Sequence, residues 1–233
     1  MVRTLAGKRV LITSADRHMG PAFIEVFNEH GAEVIADRSD YTSSPTVVDE
    51  VVAAAGTVDI LIAQFAGPTR LSPASELLTD ITEFKDEDFQ AFLNELVWPL
   101  ARFARAVLPQ MIERRAGKIV ALTSGSALRP ISGMNIYSTA RGAQNSFIRS
   151  VGVEVAGSNV QVNAIAPNYH ESNFYFTDQM LAQPGYRKSL EEQVPAGRLG
   201  TERECAELAV ALSGKASHFL AGQVIPFAGG WVQ

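Results

Sequence analysis

Residues 118–166 read KIVALTSGSALRPISGMNIYSTARGAQNSFIRSVGVEVAGSNVQVNAIA, and their hydrophobic pattern predicts a strand, a helix and a second strand in that order. The two strand-length runs, Lys118–Thr123 and Val160–Ala164, are rich in aliphatic and β-branched residues. Between them, Ala140–Ala156 has the length and the amphipathic spacing of a helix. A unit of this kind joins two parallel strands by a right-handed crossover, with its helix packed on one face of the sheet.

The same alternation of strand-length and helix-length segments continues through the rest of the chain, with no repeat or linker that would divide it. Further strands are predicted at Arg9–Thr13, Glu33–Ala36, Ile60–Ala63 and Val224–Pro226. Further helices are predicted at Gly20–His30, Asp86–Arg115 and Glu202–Leu212. Pro99 is expected to kink the second of these helices or to mark its first turn. The pattern predicts an α/β fold, a doubly wound, Rossmann-like parallel sheet in a single domain over residues 1–233, with its ligand site beyond the carboxyl ends of the strands.

The segment between the second and third strands is short for this fold. Asp59, before the third strand, lies only 22 positions after Asp37, which ends the second, and one short helix at Pro45–Ala55 is expected between them. A full strand–helix–strand unit needs about 30 residues or more. The region that encloses the adenosine half of a dinucleotide in such sheets is therefore predicted to be reduced.

The composition is that of a globular protein, with 46% hydrophobic and 19% charged residues. The net charge of −5 gives no electrostatic reason to expect a nucleic-acid partner. Cys205 is the only cysteine, which excludes an internal disulfide and argues against a cysteine-based zinc site. No apolar run reaches the roughly 18 residues of a membrane span, and the first residues lack a signal-peptide core. A cytoplasmic location without membrane contact is the resulting expectation.

Three residues in and after this strand–helix unit carry groups that could take part in acid–base chemistry. Ser124 directly follows the strand Lys118–Thr123, Tyr137 lies 13 positions later, and Arg141 lies one helical turn beyond Tyr137. A cation on the same helix face stabilises a tyrosinate, because an ion pair at about 4 Å contributes roughly 4 kcal/mol at an effective dielectric near 20, before desolvation is subtracted. Tyr137 is therefore a candidate base near neutral pH, and Ser124 is a candidate hydrogen-bond donor to the reacting oxygen.

This arrangement resembles the short-chain dehydrogenase/reductase superfamily, which has a serine and a Tyr-x-x-x-Lys motif at these places. A Tyr-x-x-x-Arg match by itself has little specificity, and its members could be unrelated surface residues. The likeness, however, extends from Lys8 to Gly230. It includes Leu108-Pro109-Gln110-Met111 before the serine strand and Val162-Asn163-Ala164-Ile165-Ala166-Pro167 after the tyrosine helix.

The sequence departs from that superfamily at the dinucleotide site. The superfamily pattern Thr-Gly-x-x-x-Gly-x-Gly reads here Thr13-Ser14-Ala15-Asp16-Arg17-His18-Met19-Gly20. Two glycines that let a backbone approach a pyrophosphate are thus replaced, by Ser14 and His18. The imidazole of His18 is expected to project into the space that phosphates or a nicotinamide would need.

Other superfamily positions are changed as well. The Asn-Asn-Ala-Gly after the third strand reads Gln64-Phe65-Ala66-Gly67, the relay asparagine falls at Leu96, and the lysine is Arg141, which cannot pass on a proton. Asp37 stands where an acid can bind the ribose of NAD, which favours a dehydrogenase. Because the glycines are lost and the following unit is short, a solvated or strand-capping carboxylate is the preferred interpretation. No nicotinamide cofactor is expected. No metal is expected either, since no two of the histidines at positions 18, 30, 170 and 218 stand at ligand spacing in the sequence.

The chain also resembles the halohydrin dehalogenases, which keep the Ser–Tyr pair, replace the lysine by arginine and lack the dinucleotide site. Further similar segments are Pro167-Asn168-Tyr169, Phe174-Tyr175-Phe176, Arg198-Leu199-Gly200-Thr201 and Ala228-Gly229-Gly230-Trp231. The resemblance implies a cofactor-independent carbon–halide lyase that converts vicinal haloalcohols to epoxides with release of halide and a proton. It implies the reverse opening of epoxides by small anions such as azide, cyanide, nitrite or halide. It also implies a homotetramer in which the two long helices form dimer contacts.

The same resemblance implies roles for residues of this chain. Tyr137, assisted by Arg141, is expected to take the proton of the substrate hydroxyl while Ser124 holds that oxygen. The pocket for halide and substrate is expected to be lined by His18, Pro167, Asn168, Tyr169, His170 and Phe176. For residues 174–176 core packing is the alternative, and for the two histidines a hydrogen-bonded structural role.

Two other functions stay open at this point. A divergent NAD(P)-dependent short-chain reductase would bind NADH or NADPH. A non-catalytic relative would act as a scaffold or as a ligand-binding module. The retention of Ser124, Tyr137 and a cation at position 141 speaks against the non-catalytic alternative.

Overall fold

Six strands form one parallel sheet in the order β2-β1-β3-β4-β5-β6. The structure is a computed structural model that describes residues 3–65, 78, 80–172, 176 and 178–232. The strands are β1 (Arg9–Ile12), β2 (Glu33–Ala36), β3 (Ile60–Ala63), β4 (Gly117–Leu122), β5 (Val160–Pro167) and β6 (Val224–Phe227). The four inner strands, β1, β3, β4 and β5, are short runs buried on both faces, whereas the edge strands β2 and β6 are partly exposed. Strands buried in this way pair in parallel under a cover of helices. The predicted doubly wound, Rossmann-like α/β fold is confirmed.

Helices cover both faces of the sheet. They are α1 (Gly20–Glu29), α2 (Val47–Ala55), α3 (Asp86–Phe92), α4 (Trp98–Glu113), α5 (Asn135–Val155), α6 (Asp178–Leu181), α7 (Tyr186–Glu191) and α8 (Glu202–Ser213). Helices α1 and α8 pack with one set of strand side chains in one apolar cluster, and α2, α4 and α5 pack with the alternate set in another. Among the described helices, none is both long enough and apolar enough to cross a bilayer.

The sheet ends at β2, beside β1. A complete Rossmann half would continue with a third strand outside β2, whereas here the chain passes from α2 directly to β3 on the other side of β1. This agrees with the short segment predicted between Asp37 and Asp59. The edge that normally supports the adenosine end of a dinucleotide is correspondingly small.

The helix predicted over Asp86–Arg115 is divided into three segments. A π-helical stretch at Leu93–Val97 separates α3 from α4. Pro99 lies in the first turn of α4, as expected, directly after the π-helical stretch. Helix α5 begins at Asn135, five residues before the predicted start, so that Tyr137 lies inside its first turn. Single-turn π segments occur frequently at functional sites, and this one lies beneath the candidate site described below.

Gly152 of α5 is predicted to tolerate no side chain. An added Cβ would lie 2.3 Å from the backbone nitrogen of Gly222 and 2.8 Å from the carbonyl oxygen of Val162, neither of which can rotate away. The Gly152→Ala variant is therefore expected to lose about 3 kcal/mol of unfolding free energy in urea titrations. Gly142→Ala, in the same helix with no atom within 4 Å of the added Cβ, is the control and is expected to gain up to about 1 kcal/mol. Equal losses in the two variants would contradict this account of the contact.

Candidate active site

Ser124, Tyr137 and Arg141 are brought to the carboxyl end of β4. Ser124 follows β4 and precedes a short 3-10 turn at Gly125–Ala127, while Tyr137 and Arg141 lie in the first two turns of α5. All three are buried, with 5%, 5% and 2% of their surface exposed. The Cζ atom of Arg141 is 5.1 Å from the centroid of the Tyr137 ring. Since Arg141 also donates to the carbonyl oxygen of Leu122, this face of α5 lies against the strand end that carries Ser124.

The guanidinium of Arg141 is held by several hydrogen bonds. Its Nη1 donates to the carbonyl oxygen of Leu122 at 3.1 Å and to Oε1 of Gln144 at 3.0 Å, and its Nη2 donates to the carbonyl oxygen of Phe65 at 3.0 Å. These acceptors are neutral oxygens, so the bonds fix the guanidinium without cancelling its positive charge. A fixed cation beside a phenol ring favours the ionised form of that phenol.

Gln144 is a site residue that the sequence analysis missed. Besides accepting from Arg141, it donates through Nε2 to the carbonyl oxygen of Leu96 at 2.7 Å, inside the π-helical stretch. Leu96 takes the place of the superfamily's relay asparagine, and its side chain is fully buried in the core. The available signal was the position of Gln144 three residues after Arg141, on the same face of α5.

The Ser124 hydroxyl is oriented by its neighbour Ser126. The backbone N–H of Ser126 donates to Oγ of Ser124 at 3.2 Å, and the two hydroxyl oxygens are 3.0 Å apart. An oxygen that accepts from a backbone N–H keeps its own hydrogen for another acceptor. Ser124 can therefore donate to an oxygen bound next to Tyr137.

The turn after β1 keeps a glycine-type backbone although two of its glycines are lost. Ser14 and His18 have φ angles of 46° and 51°, in the left-handed region that favours glycine. Gln64 braces this turn, because its Nε2 donates to the carbonyl oxygens of Ser14 at 3.0 Å and of Arg17 at 3.1 Å. At Gly20 an added Cβ would lie 2.4 Å from the carbonyl oxygen of Ala15, which explains why this glycine is kept.

Tyr41 fills the space between this turn and the end of β2. It is only 6% exposed and forms edge contacts with Phe65 and Phe103, whose ring centroids lie 5.6 and 5.1 Å away. Its hydroxyl donates to Oδ2 of Asp37 at 2.5 Å and accepts from the backbone N–H of Ser14 at 2.9 Å. Burial, followed by the hydrogen bond to Asp37, raises the pKa of Tyr41 far above its usual value, so this phenol stays neutral.

These contacts do not fit the adenosine half of a dinucleotide. The ribose-binding acid would be Asp37, but one carboxylate oxygen accepts from Tyr41 and the other from the Ser39 hydroxyl at 2.7 Å. The Ser14 N–H, which would face a phosphate, already donates to Tyr41. The cavity beside Tyr41 has a volume of about 70 Å³, against about 300–1,000 Å³ for typical ligand pockets. A larger and more open cavity of about 410 Å³ lies between β2 and α2 and is lined by Asp37 and Ser39. Asp37 is thus engaged in a local hydrogen-bond network at the strand end. The sequence had given no reason to single out Tyr41, although it stands four positions after Asp37.

Asn168 lies next to the serine turn. A Cβ added to Gly125 would be 3.0 Å from Cβ of Asn168, and Pro167 is the last residue of β5. The backbone N–H of Asn168 donates to the carbonyl oxygen of Phe227 at 3.0 Å and is therefore engaged in the sheet. The side-chain Nδ2, in contrast, is buried and has no hydrogen-bond acceptor among the residues that the structure describes. A buried donor of this kind is costly, so it is a candidate group for binding a small acceptor.

His18 and His170 lie together although 152 positions separate them, with ring centroids 5.6 Å apart. Burial lowers the pKa of His18 well below its usual value, with smaller contributions from His170 and Arg141. Burial also lowers the pKa of His170, to about 4. Both rings are therefore neutral at pH 7. Because Nδ1 of His170 is 3.1 Å from the carbonyl oxygen of Glu171, its hydrogen lies on Nδ1 and its Nε2 is an acceptor.

A metal site at this histidine pair finds no support among the residues that the structure covers. No group of three His, Cys, Asp or Glu side chains there could hold an ion. Spacing along the chain gave no sign that the two rings would meet, because their contact depends on the tertiary fold.

The aromatic residues after Asn168 have the contacts of a packed cluster. Tyr169, with φ 50°, stacks on Phe176 at 6.0 Å and meets the edge of Trp231 at 5.4 Å. Phe176 and Tyr169 pack against a small apolar cluster formed by Leu181, Leu190 and Leu199. For Phe176 these contacts agree with the packing alternative. Phe174, Tyr175, Ala66 and Gly67 lie outside the described residues.

Comparison with known proteins gives the family. A family model described as enoyl-(acyl carrier protein) reductase matches residues 4–232. A 3-oxoacyl-(acyl-carrier-protein) reductase of Vibrio harveyi is 31% identical, over 97% of this chain and 98% of the relative. The chain belongs to the short-chain dehydrogenase/reductase family. Gluconate 5-dehydrogenase of Gluconobacter oxydans is also similar, with 28% identity over 97% of this chain and 95% of the relative.

Solved structures agree with this family assignment. A structure named "Dehalogenation enzyme" superposes with a TM-score of 0.87 at 26% identity, covering 98% of this chain and 100% of that one. A short-chain dehydrogenase/reductase family oxidoreductase from Burkholderia thailandensis, at 21% identity and a TM-score of 0.84 over 96% and 92% of the two chains, shows the same fold. The superfamily resemblance is therefore confirmed. The sequence relatives favour the reductase alternative, and the narrower resemblance to halohydrin dehalogenases stays a proposal.

Proposed function

We propose that this member of the short-chain dehydrogenase/reductase family is a halohydrin dehalogenase, which closes vicinal haloalcohols to epoxides without a nicotinamide cofactor. The observation that carries the proposal is Tyr41, which fills the nucleotide end of the site while Ser124, Tyr137 and Arg141 remain together. The likeness to the structure named "Dehalogenation enzyme" supports it.

Ring closure begins at Tyr137. Its phenolate oxygen, stabilised by the Arg141 guanidinium, accepts the proton of the substrate hydroxyl, and the Ser124 hydroxyl donates to the same substrate oxygen. The resulting alkoxide forms a bond to the neighbouring carbon as the carbon–halogen bond breaks, and the halide leaves with that electron pair. Tyr137 afterwards releases its proton to solvent. Holding the oxygen opposite the leaving group is the main positional task of the site.

The leaving halide needs donors where its negative charge develops. The buried Nδ2 of Asn168, beside the turn that follows Ser124, is the donor that we assign to it. His18 and His170 add a neutral polar wall, since burial keeps both rings uncharged. A site made of neutral donors binds a halide without the strong retention that a buried cation would cause. In reverse, a small anion in the same place opens the epoxide, and Tyr137 returns the proton to the alkoxide.

The second candidate is a nicotinamide-dependent reductase. The family model and the curated relatives reported above carry the names of reductases or dehydrogenases. By these names alone, the reductase is the better supported alternative. It requires that NADH or NADPH displace Tyr41 from Asp37 and from the Ser14 N–H.

The two candidates predict opposite results in one experiment. We expect the purified protein, given a small vicinal bromo-alcohol and no nucleotide, to release bromide and protons in equal amounts. We expect no binding of NADH or NADPH in a fluorescence titration, because Tyr41 occupies the nucleotide end of the site. Cofactor binding together with carbonyl reduction and no bromide release would overturn the proposal in favour of the reductase. Absence of both activities would favour a non-catalytic relative.

A further inference from the structure

Lys118 is a buried lysine at the amino end of β4, far from the candidate active site. It is 8% exposed, and its Nζ donates to Oε1 of Gln161 at 3.0 Å and to Oγ of Ser217 at 2.7 Å. Both acceptors are neutral, and no carboxylate of the described residues forms an ion pair with it. An ammonium group carries three donors, so two bonds leave one of them without a protein acceptor.

A cavity of about 290 Å³ adjoins this lysine. It lies at the amino ends of β1, β3, β4 and β5, and it is lined by the cations Lys8, Lys118 and Lys215. Asp59, the one carboxylate among the described residues that line it, already accepts the backbone N–H of Arg9 at 2.9 Å and lies 3.8 Å from the Arg114 guanidinium. The cavity wall therefore carries an excess of positive charge.

A second polar group at this cavity also lacks a partner. Oγ of Ser213, at the end of α8, is buried and forms no hydrogen bond with the described part of the chain. Buried hydroxyls without a partner are rare, because each one costs about 1–3 kcal/mol of desolvation free energy. The buried cation Lys118, which has no described counter-ion, and the Ser213 hydroxyl, which has no described hydrogen-bond partner, thus lie at the same cavity.

We propose that this cavity is a second binding site, which takes a small organic anion with a carboxylate group. The carboxylate supplies the charge that Lys118 lacks, and Ser213 donates a further hydrogen bond to it. The carbon body of the ligand packs on the apolar wall residues Leu5, Ile60 and Ala116. A volume of about 290 Å³ fits a small organic molecule. The ligand would bind roughly 20 Å from Ser124, since about six strand residues separate the two ends of β4, so it is not the substrate of the reaction proposed above.

The affinity for the anion is expected to depend on pH. Burial lowers the pKa of Lys118 to about 8, so the free site loses its charge as the pH rises through that value. The other ionisable groups that face the cavity are Lys8, Asp59, Lys215 and His218. The binding titration is made between pH 7 and pH 9, on both sides of the value for Lys118. Over this range binding is expected to weaken about tenfold if Lys118 is the group that titrates.

The test uses benzoate and butyrate as organic probes and sulfate as an inorganic one, with isothermal calorimetry on the whole chain. We expect both carboxylates to bind the unmodified protein at pH 7, and Lys118→Met to lower their affinity at least tenfold. Lys188→Met, at an exposed lysine of α7, is the matched control and is expected to bind them unchanged. Lys215→Gln, which removes an exposed cavity cation without touching the core, is a second variant and is expected to weaken binding measurably.

The stability of the apo protein provides an independent readout. Because the folded state binds fewer protons at Lys118 than the unfolded state between about pH 8 and pH 10.5, burial of this lysine should become less costly as the pH rises through that window. Lys118→Met is expected to lose this contribution to the pH dependence. Unchanged benzoate affinity in Lys118→Met, or binding of sulfate without binding of either carboxylate, would overturn the proposal.

Discussion

Replacing Tyr137 with phenylalanine is expected to lower the rate of halide release by about 10³-fold, since general-base assistance contributes about 10²–10⁴-fold. The phenolic oxygen is the group that takes the substrate proton in the proposed reaction, and phenylalanine has no atom that could take it. The ring itself stays in place, because phenylalanine keeps the edge contact with Phe92 at 5.9 Å and the stacking against Arg141. The measurement is halide release in an unbuffered pH-stat assay with a bromo-alcohol.

The control for this variant is its thermal unfolding curve, which should match that of the unmodified protein. Ser124→Ala is a companion variant that removes the hydrogen bond to the reacting oxygen but leaves the proton acceptor in place. We therefore expect it to lose activity as well, with the larger part of the loss in kcat. Halide release by Tyr137→Phe within tenfold of the unmodified rate would show that another group takes the proton.

Replacing Arg141 with methionine is expected to reduce both activity and stability. The carbonyl oxygens of Leu122 and Phe65 would lose their guanidinium donors, and each buried polar group left unsatisfied costs about 1–3 kcal/mol. We expect a loss of about 3 kcal/mol in the unfolding free energy, measured in urea. Halide release should fall by about 10²-fold at pH 7, and the rate should recover towards higher pH, because the phenolate is no longer stabilised by a cation.

Two variants separate charge from hydrogen bonding at this position. Arg141→Lys retains the charge but cannot reach the carbonyl oxygens of Leu122 and Phe65 with one planar group, so it should recover part of the activity and little of the stability. Arg203→Met removes an exposed arginine that pairs with Glu25 and Glu29 on α1, and should change the stability little. Equal losses of unfolding free energy in Arg141→Met and Arg203→Met would show that the buried guanidinium of Arg141 does not stabilise the site.

Helix boundaries are where the sequence pattern gave the least accurate prediction. The apolar spacing over Asp86–Arg115 continues through the π-helical stretch, so periodicity could not separate α3 from α4. At the start of α5, Asn135, Ser138 and Thr139 are polar, and Ile136 is the one aliphatic residue beside Tyr137. Their helical conformation depends on contacts with the rest of the fold, because local propensity there is weak.

Most of the partners that complete the site are distant along the chain. Phe65 supplies an acceptor to Arg141 from 76 positions away, and Tyr41 reaches back 27 positions to Ser14. The two histidines that meet, and Lys118 with its partners Gln161 and Ser217, are likewise far apart along the chain. Hydrophobic periodicity reports only which face of a local element is buried, so it carries no information about such contacts.

The sequence by itself determined the doubly wound sheet and the positions of Ser124, Tyr137 and Arg141. Both follow from local rules. Buried side chains recur at one spacing in a strand and at another in a helix, and two residues four apart share a helix face. Only the tertiary structure decided that Tyr41 would lie between Asp37 and Ser14, that His18 and His170 would meet, and that Lys118 would lie beside a cavity without a counter-ion among the described residues. These features arise where separate segments meet at the two ends of the sheet, and their energies depend on burial and on partners that no single segment contains.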